Sequence, residues 1–160
     1  MKVGGSGYTV DVPKGWDKEN PENDDEDFKI DLSLVWGNDG GSGSAQMIVH
    51  KVNAGISETE VSGAEFKDGI YRSMKNVSEG FKTNVYDLGG GKVDGARMGV
   101  FSYHRKKETD ELSGVVDVFT REAIIHHGED LYFVRIAADK KAHLLAFDDL
   151  EHLFSSWKWD

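Results

Sequence analysis

Tyr8, Val10 and Val12 alternate with Thr9 and Asp11, which predicts a short strand ended by Pro13-Lys14-Gly15, with Trp16 just beyond. Phe28, Ile30, Leu32, Leu34 and Trp36 then take every second position against Lys29, Asp31 and Ser33, the pattern of a strand with one buried face. A glycine-rich turn from Gly37 to Ser44 leads into an apolar run over 45–52 that fits an antiparallel partner. Ser57-Glu58-Thr59-Glu60 matches a capping box, and Val61, Ala64, Ile70, Tyr71, Met74 and Val77 follow at helical spacing. A first helix is expected over about 58–77, weakened by Gly63 and Gly69 at about 1 kcal/mol each relative to alanine.

Four further strands are predicted over 82–88, 96–106, 115–125 and 131–137. They are separated by Gly89-Gly90-Gly91, by a charged stretch from Lys106 to Glu111, and by a tight turn at Gly128-Glu129-Asp130. Links this short favour antiparallel pairing, because parallel neighbours need a crossover of a dozen or more residues. Leu144, Phe147, Leu150, Phe154 and Trp157 recur at steps of three and four and predict a closing amphipathic helix, with Asp139 as its N-cap. The order is three strands, a helix, four strands, a helix. This is an α+β class with helices packed on an antiparallel β-sheet. No internal repeat or interior linker divides residues 1–160, so a single domain is expected, with residues 1–7 as a flexible glycine-rich tail.

Composition narrows the function classes. The 160 residues carry a formal net charge of −10, which argues against nucleic acid or an anionic membrane surface as partner. The chain has no cysteine, so disulfides, thiolate zinc, iron–sulfur clusters and thiol catalysis are excluded. No apolar stretch reaches the ~18 residues of a spanning helix, so no membrane insertion is expected.

Asp17, Glu19, Glu22, Asp24, Asp25, Glu26 and Asp27 oppose only Lys18 in one segment. Its spacing lacks the glycine and the distal glutamate of a calcium loop, so a solvated loop is expected, with Asp24, Asp25, Glu26 and Asp27 as weak candidates for contact with a basic partner or a calcium ion. His104-Arg105-Lys106-Lys107 is the one positive cluster. An exposed strand end explains it, and Arg105, Lys106 and Lys107 are the candidates for contact with an acidic partner.

His126 and His127 are adjacent on a predicted strand and point to opposite faces; they are expected as surface or edge residues. His143 and His152 do not have the i, i+4 spacing of a zinc helix, and His50 and His104 sit on separate strands. Gly41-Ser42-Gly43-Ser44 lacks the strand-to-helix setting of a nucleophile elbow, and Gly89-Gly90-Gly91-Lys92 is no phosphate loop but is expected as a hairpin turn. Trp16, Trp36, Trp157 and Trp159 are expected as core or core-rim anchors, Trp159 being the one to find exposed. No cofactor and no catalytic set are expected.

The opening Gly7-Tyr8-Thr9-Val10-Asp11-Val12-Pro13-Lys14-Gly15-Trp16 resembles the aromatic strand and Pro-x-x-Trp entry of the PsbP/Mog1-like superfamily. The element order that follows, with Gly95-Ala96-Arg97 leading a long strand and Phe154-Ser155-Ser156-Trp157 in the closing helix, is similar across nearly the whole chain. The resemblance implies an α/β/α sandwich and a module that binds another macromolecule without doing chemistry. Members are extrinsic photosystem II subunits, regulators of the Ran GTPase, adaptor chaperones for secreted effectors and bacterial lipoprotein domains.

The expected function is a non-catalytic, protein-binding accessory domain. Two alternatives stand beside it: an adaptor chaperone that cradles an apolar client segment on an open sheet face, and a metal-assisted hydrolase built from His50, His104 or His126 with a carboxylate. The compartment stays open, with an extracytoplasmic setting expected if a leader has been removed ahead of Met1.

Overall fold

The computed structural model describes residues 1–20, 29–37, 43–108 and 115–160. Five strands precede the first helix: β1 (Lys2–Gly5), β2 (Tyr8–Asp11), β3 (Asp17–Glu19), β4 (Ile30–Gly37) and β5 (Ser44–Asn53). After α1 (Gly63–Phe81) come β6 (Val85–Val93), β7 (Ala96–Glu108), β8 (Val115–His127) and β9 (Asp130–Ala138), then α2 (His143–Ser156) and the short β10 (Lys158–Trp159). The order of the main sheet is β3-β4-β5-β9-β8-β7-β6, every pairing antiparallel, and β1-β2-β10 form a separate small sheet. The α+β class expected from the pattern is present, with α1 on one face of the main sheet and α2 with the small sheet on the other.

The face under α2 is the larger core. Leu32, Leu34, Met47, Val49, Ile125, Val134 and Ile136 pack there against Leu150 and Leu153 of α2 and against Tyr8 and Val10 of β2. Tyr8 stacks on Trp157 with ring centroids 4.3 Å apart, and Tyr132 meets Tyr8 edge-on at 5.6 Å. Such aromatic pairs add about 0.5–1.5 kcal/mol each beyond the area they bury. They fasten the two chain ends to β9, and Trp159, half-buried rather than exposed, closes the group by donating its indole N–H to the Val93 carbonyl at 2.9 Å.

Local chemistry departs from the expected pattern at several places, the first being Asp17–Glu19, which pairs with β4 as a strand where the acidic run predicts a solvated loop. Residues 2–5, whose glycines suggest a tail, pair with β2, and a Cβ on Gly5 would lie 2.0 Å from the Tyr8 ring, so this glycine is required by the core. Ser57 caps only a single turn of 3-10 helix, Glu58–Glu60, and the working capping box lies five residues on. There the Ser62 hydroxyl accepts from the Glu65 amide at 3.1 Å and donates to the Glu65 carboxylate at 3.2 Å.

The three glycines 89–91 lie inside β6, and the turn falls at Asp94-Gly95, where both residues have positive φ (45° and 86°), the geometry of a two-residue hairpin turn. A register irregularity between Ile30 and Leu32 turns Ile30 to the opposite face from Leu32 and Leu34. Asp139 does not cap α2 directly. Its carboxylate accepts from the Ala142 and Ser44 amides, tying the start of α2 to β5, while Leu144 is left 75% exposed.

α1 lies on the other face, over β6 and β7. Gly99 of β7 lets it approach: a Cβ there would sit 2.7 Å from Ile70 Cγ1 and 2.8 Å from its Cδ1. Ile70, Phe101, Tyr103 and Ile124 form the small core beneath the helix. Because Ile70 is β-branched and buried, it cannot swing aside, and Gly99→Ala is expected to destabilise the fold by about 1–3 kcal/mol through overpacking. Urea unfolding of the variant checks this; an unchanged midpoint would show that α1 is not seated on Gly99.

Candidate functional site

Cross-strand register assigns side chains to faces, because directly opposed residues in an antiparallel pair project to the same side. Phe101 lies under α1, and the register carries that face through Glu122, Arg135 and Ile48 to Ser33. In parallel rows it carries Tyr103 to Thr120, Ala137, Gln46 and Val35, and Ile124 to Phe133 and His50. α1 covers the β6–β8 end, and among the described residues no helix lies on the same face over β4, β5 and β9.

Three features lie along this face. Beside α1 is a groove of about 430 Å³, floored by Ile124, Leu131 and Phe133 and edged by Glu65, Arg72 and Asn76 of the helix. His126 sits at its base, 2% exposed, with Nε2 3.1 Å from the Ile56 carbonyl oxygen. The surface position expected for His126 is therefore corrected: a carbonyl partner from the loop after β5 lets the imidazole be buried.

Next is a charged cluster. Glu122 accepts from the Tyr103 hydroxyl at 3.1 Å and from Arg135 Nε, and its side chain is only 14% exposed while that of Arg135 is 53% exposed. Burial, with the Glu122 charge adding to it, pushes the Tyr103 phenol up to about 12. His50, close enough to feel both Arg135 and Glu122, is held below the ordinary histidine range chiefly by burial, although a hydrogen bond to the Lys29 backbone pulls the other way.

At the strand ends is a trough of about 810 Å³ lined by Val35, Gln46, Ala137, Val116 and Val118, with Glu19 and Lys107 at its margins.

Arg105, Lys106 and Lys107 are not a single patch. Arg105 and Lys107 project from the α1 face and Lys106 from the other. Arg105 lies 4.4 Å from the Phe81 ring centroid, so the end of α1 already engages its cation. His104, on the opposite face from Arg105, is 3.0 Å from the Asp117 carboxylate and stacks on Phe119, which stacks in turn on His143. Asp24, Asp25, Glu26, Asp27 and Phe28 lie outside the described residues.

The histidines do not assemble. His50 and His104 project from opposite faces of the sheet, so these two side chains do not meet. Among the described residues no three histidine or carboxylate side chains gather at metal-binding distance. Glu122 is paired with an arginine and a tyrosine, an arrangement suited to recognition through a half-exposed guanidinium. The cluster was hidden in the sequence because Tyr103, Glu122 and Arg135 are brought together only by the pairing of β7, β8 and β9.

The architecture is that of the PsbP-like fold. The chain is similar to cyanobacterial PsbP (CyanoP) from Synechocystis sp. PCC 6803, with 14% identity, TM-score 0.56, and 97% of this chain and 88% of that one covered. It is also similar to LpqN of Mycobacterium tuberculosis, described as involved in cell envelope biogenesis, with 12% identity, TM-score 0.53, and 99% and 88% covered. No family model matches the sequence, and no curated protein does.

Protonation of His50 supplies a test of the cluster. A histidine whose folded-state value is lowered costs nothing above its ordinary value near 6.5, and destabilises progressively as pH falls from there toward the folded value, because the unfolded chain takes up the proton first. The unfolding free energy of His50→Gln relative to wild type should therefore shift in the variant's favour between about pH 7 and pH 5. Denaturant curves across that range measure it; a constant difference would mean that the fold does not hold His50 neutral.

Proposed function

We propose that the chain is a non-catalytic accessory domain that binds another protein through the part of the sheet face that α1 leaves uncovered. One observation carries this: Val35, Ile48 and Ala137 on β4, β5 and β9, with Val116 and Val118 at the start of β8, keep exposed apolar surface on that face, interleaved with the Glu122–Arg135 pair and, among the described residues, under no helix. An apolar strip broken by placed charges suits a protein partner, since the strip supplies burial and the charges fix orientation. The fold shared with CyanoP and LpqN supports an accessory role by analogy.

Lys107 at the trough and Arg105 beside α1 are proposed to meet acidic side chains of the partner. Asp24, Asp25, Glu26 and Asp27 are proposed to meet basic ones. An extracytoplasmic setting is proposed too, supported by the cell-envelope description of LpqN. Among the described residues no helix is long and apolar enough to cross a membrane. The adaptor-chaperone reading uses the same face and differs in requiring a helical client in the groove beside α1.

The test compares two surface variants as baits in lysate of the source organism. Ile48→Asp should reduce recovery of the specific partner about tenfold or more, as expected when a charge enters an apolar contact. Leu144→Asp, on the exposed side of α2, should leave recovery unchanged. Loss with Leu144→Asp and retention with Ile48→Asp would move the binding surface to the other side of the molecule.

A further inference from the structure

The two edges of the main sheet are built differently. β3 is three residues long, Asp17–Glu19, and carries two acids, which discourages another strand from pairing there. β6, at the other edge, is nine residues long and reads Val85-Tyr-Asp-Leu-Gly-Gly-Gly-Lys-Val93. It contains no proline, and exposed apolar side chains flank it: Tyr86 at 60%, Leu88 at 47% and, on α1, Tyr71 at 43%. Between the strand and α1 lies a groove of about 330 Å³ with Phe66 and Ile70 in its wall.

The backbone of β6 states what can cover it. The two-residue turn at Asp94-Gly95 makes Val93 and Ala96 a mutually hydrogen-bonded pair, so Gly91 and Gly89 also bond to β7 while Lys92 and Gly90 turn N–H and C=O outward. Beyond the irregularity between Asp87 and Gly89 the alternation resumes with Tyr86 inward and Asp87 outward. The outward set is then Lys92, Gly90 and Asp87, and an added strand can take up this ladder in place of water.

This set is self-complementary. If Gly90 sits on a two-fold axis against Gly90 of the partner subunit, Lys92 falls opposite Asp87 of the partner subunit, and the reverse holds by symmetry. Lys92 and Asp87 both project from the α1 side, as their partners Arg97 and Phe101 do, so each pair brings an ammonium to a carboxylate. One Asp87 oxygen already accepts from the Gly89 amide at 2.8 Å, and the other remains for the lysine. In this arrangement the two α1 helices, each lying over β6 and β7, come within two to three strand spacings, about 10–14 Å, close to the separation of packed helices. Tyr71 of each then faces the other's groove, and Tyr86 is covered by the added sheet.

We propose that the chain forms a two-fold symmetric homodimer by antiparallel β6–β6 pairing, with Gly90 at the axis and reciprocal Lys92–Asp87 ion pairs. The occupant is a second copy because the register that pairs the outward positions about Gly90 also sets each Lys92 opposite Asp87 of the partner subunit, a charge match built into one strand.

Sedimentation equilibrium of the full chain and its variants tests this. The wild type should run at twice the 17.8 kDa chain mass at about 0.1 mM. Lys92→Glu, which sets like charges opposite each other twice, should weaken the dimer about tenfold or more. The double variant Asp87→Lys with Lys92→Asp restores both pairs in reverse and should return the dissociation constant to within a few-fold of wild type. Gly90→Pro removes an outward N–H at the axis without costing a bond to β7, and should give a folded monomer by circular dichroism. A monomeric wild type at that concentration, a dimer unmoved by Lys92→Glu and Gly90→Pro, or a folded double variant that stays dissociated would overturn the proposal.

Discussion

A sheet of seven strands has two faces, and the chain supplies one full cover and one partial cover. Six spacings of about 4.8 Å make the sheet roughly 29 Å wide, whereas a helix with its side chains is about 10–12 Å across. α2 alone would therefore leave its face unfinished. The small sheet of β1, β2 and β10 completes it, locked to α2 and β9 through Tyr8, Trp157, Tyr132 and Trp159. No comparable companion lies beside α1 among the described residues, and the sequence of the uncovered strands is written accordingly. Gln46, His50 and Arg135 alternate with core residues there and are mixed with Val35, Ile48 and Ala137. A face this mixed stays soluble when bare and still has area to bury on a partner.

The same constraint explains why α1 is poorly buried for its length. Of its nineteen residues only Ile70 is fully buried, and that contact exists because Gly99 removes the side chain beneath it. Grooves therefore run along both flanks of the helix, toward β9 on one side and toward β6 on the other. The proposed partner face and the proposed dimer edge lie on opposite flanks of one helix, so occupation of one leaves the other open.

Strands with one clean apolar face were legible in the sequence. β2 alternates as expected, β4 does so from Leu32 onward, β5 pairs with β4, and the closing helix buries Leu150 and Phe154. Three features were not legible, each for a local reason. The glycines at 89–91 mimic a turn, but Asp94-Gly95 supplies the positive-φ pair that a tight hairpin needs. The glycines at 4–7 mimic a tail, and only the position of the Tyr8 ring shows why Gly5 must lack a side chain. The charged cluster depends on register among three strands, which no period along the chain encodes, so His50 was found as a histidine without its neighbours Glu122 and Arg135.

The proposed binding takes place on the part of the sheet that, among the described residues, no helix covers. Methyl NMR of the protein, labelled at isoleucine, valine, leucine and alanine and titrated with the partner recovered on it, addresses this most directly. The account predicts that Ile48, Val35, Val118 and Ala137 shift while Leu144 and Leu145 on α2 stay in place. Shifts confined to Leu144 and Leu145, with the Ile48 side unmoved, would contradict it.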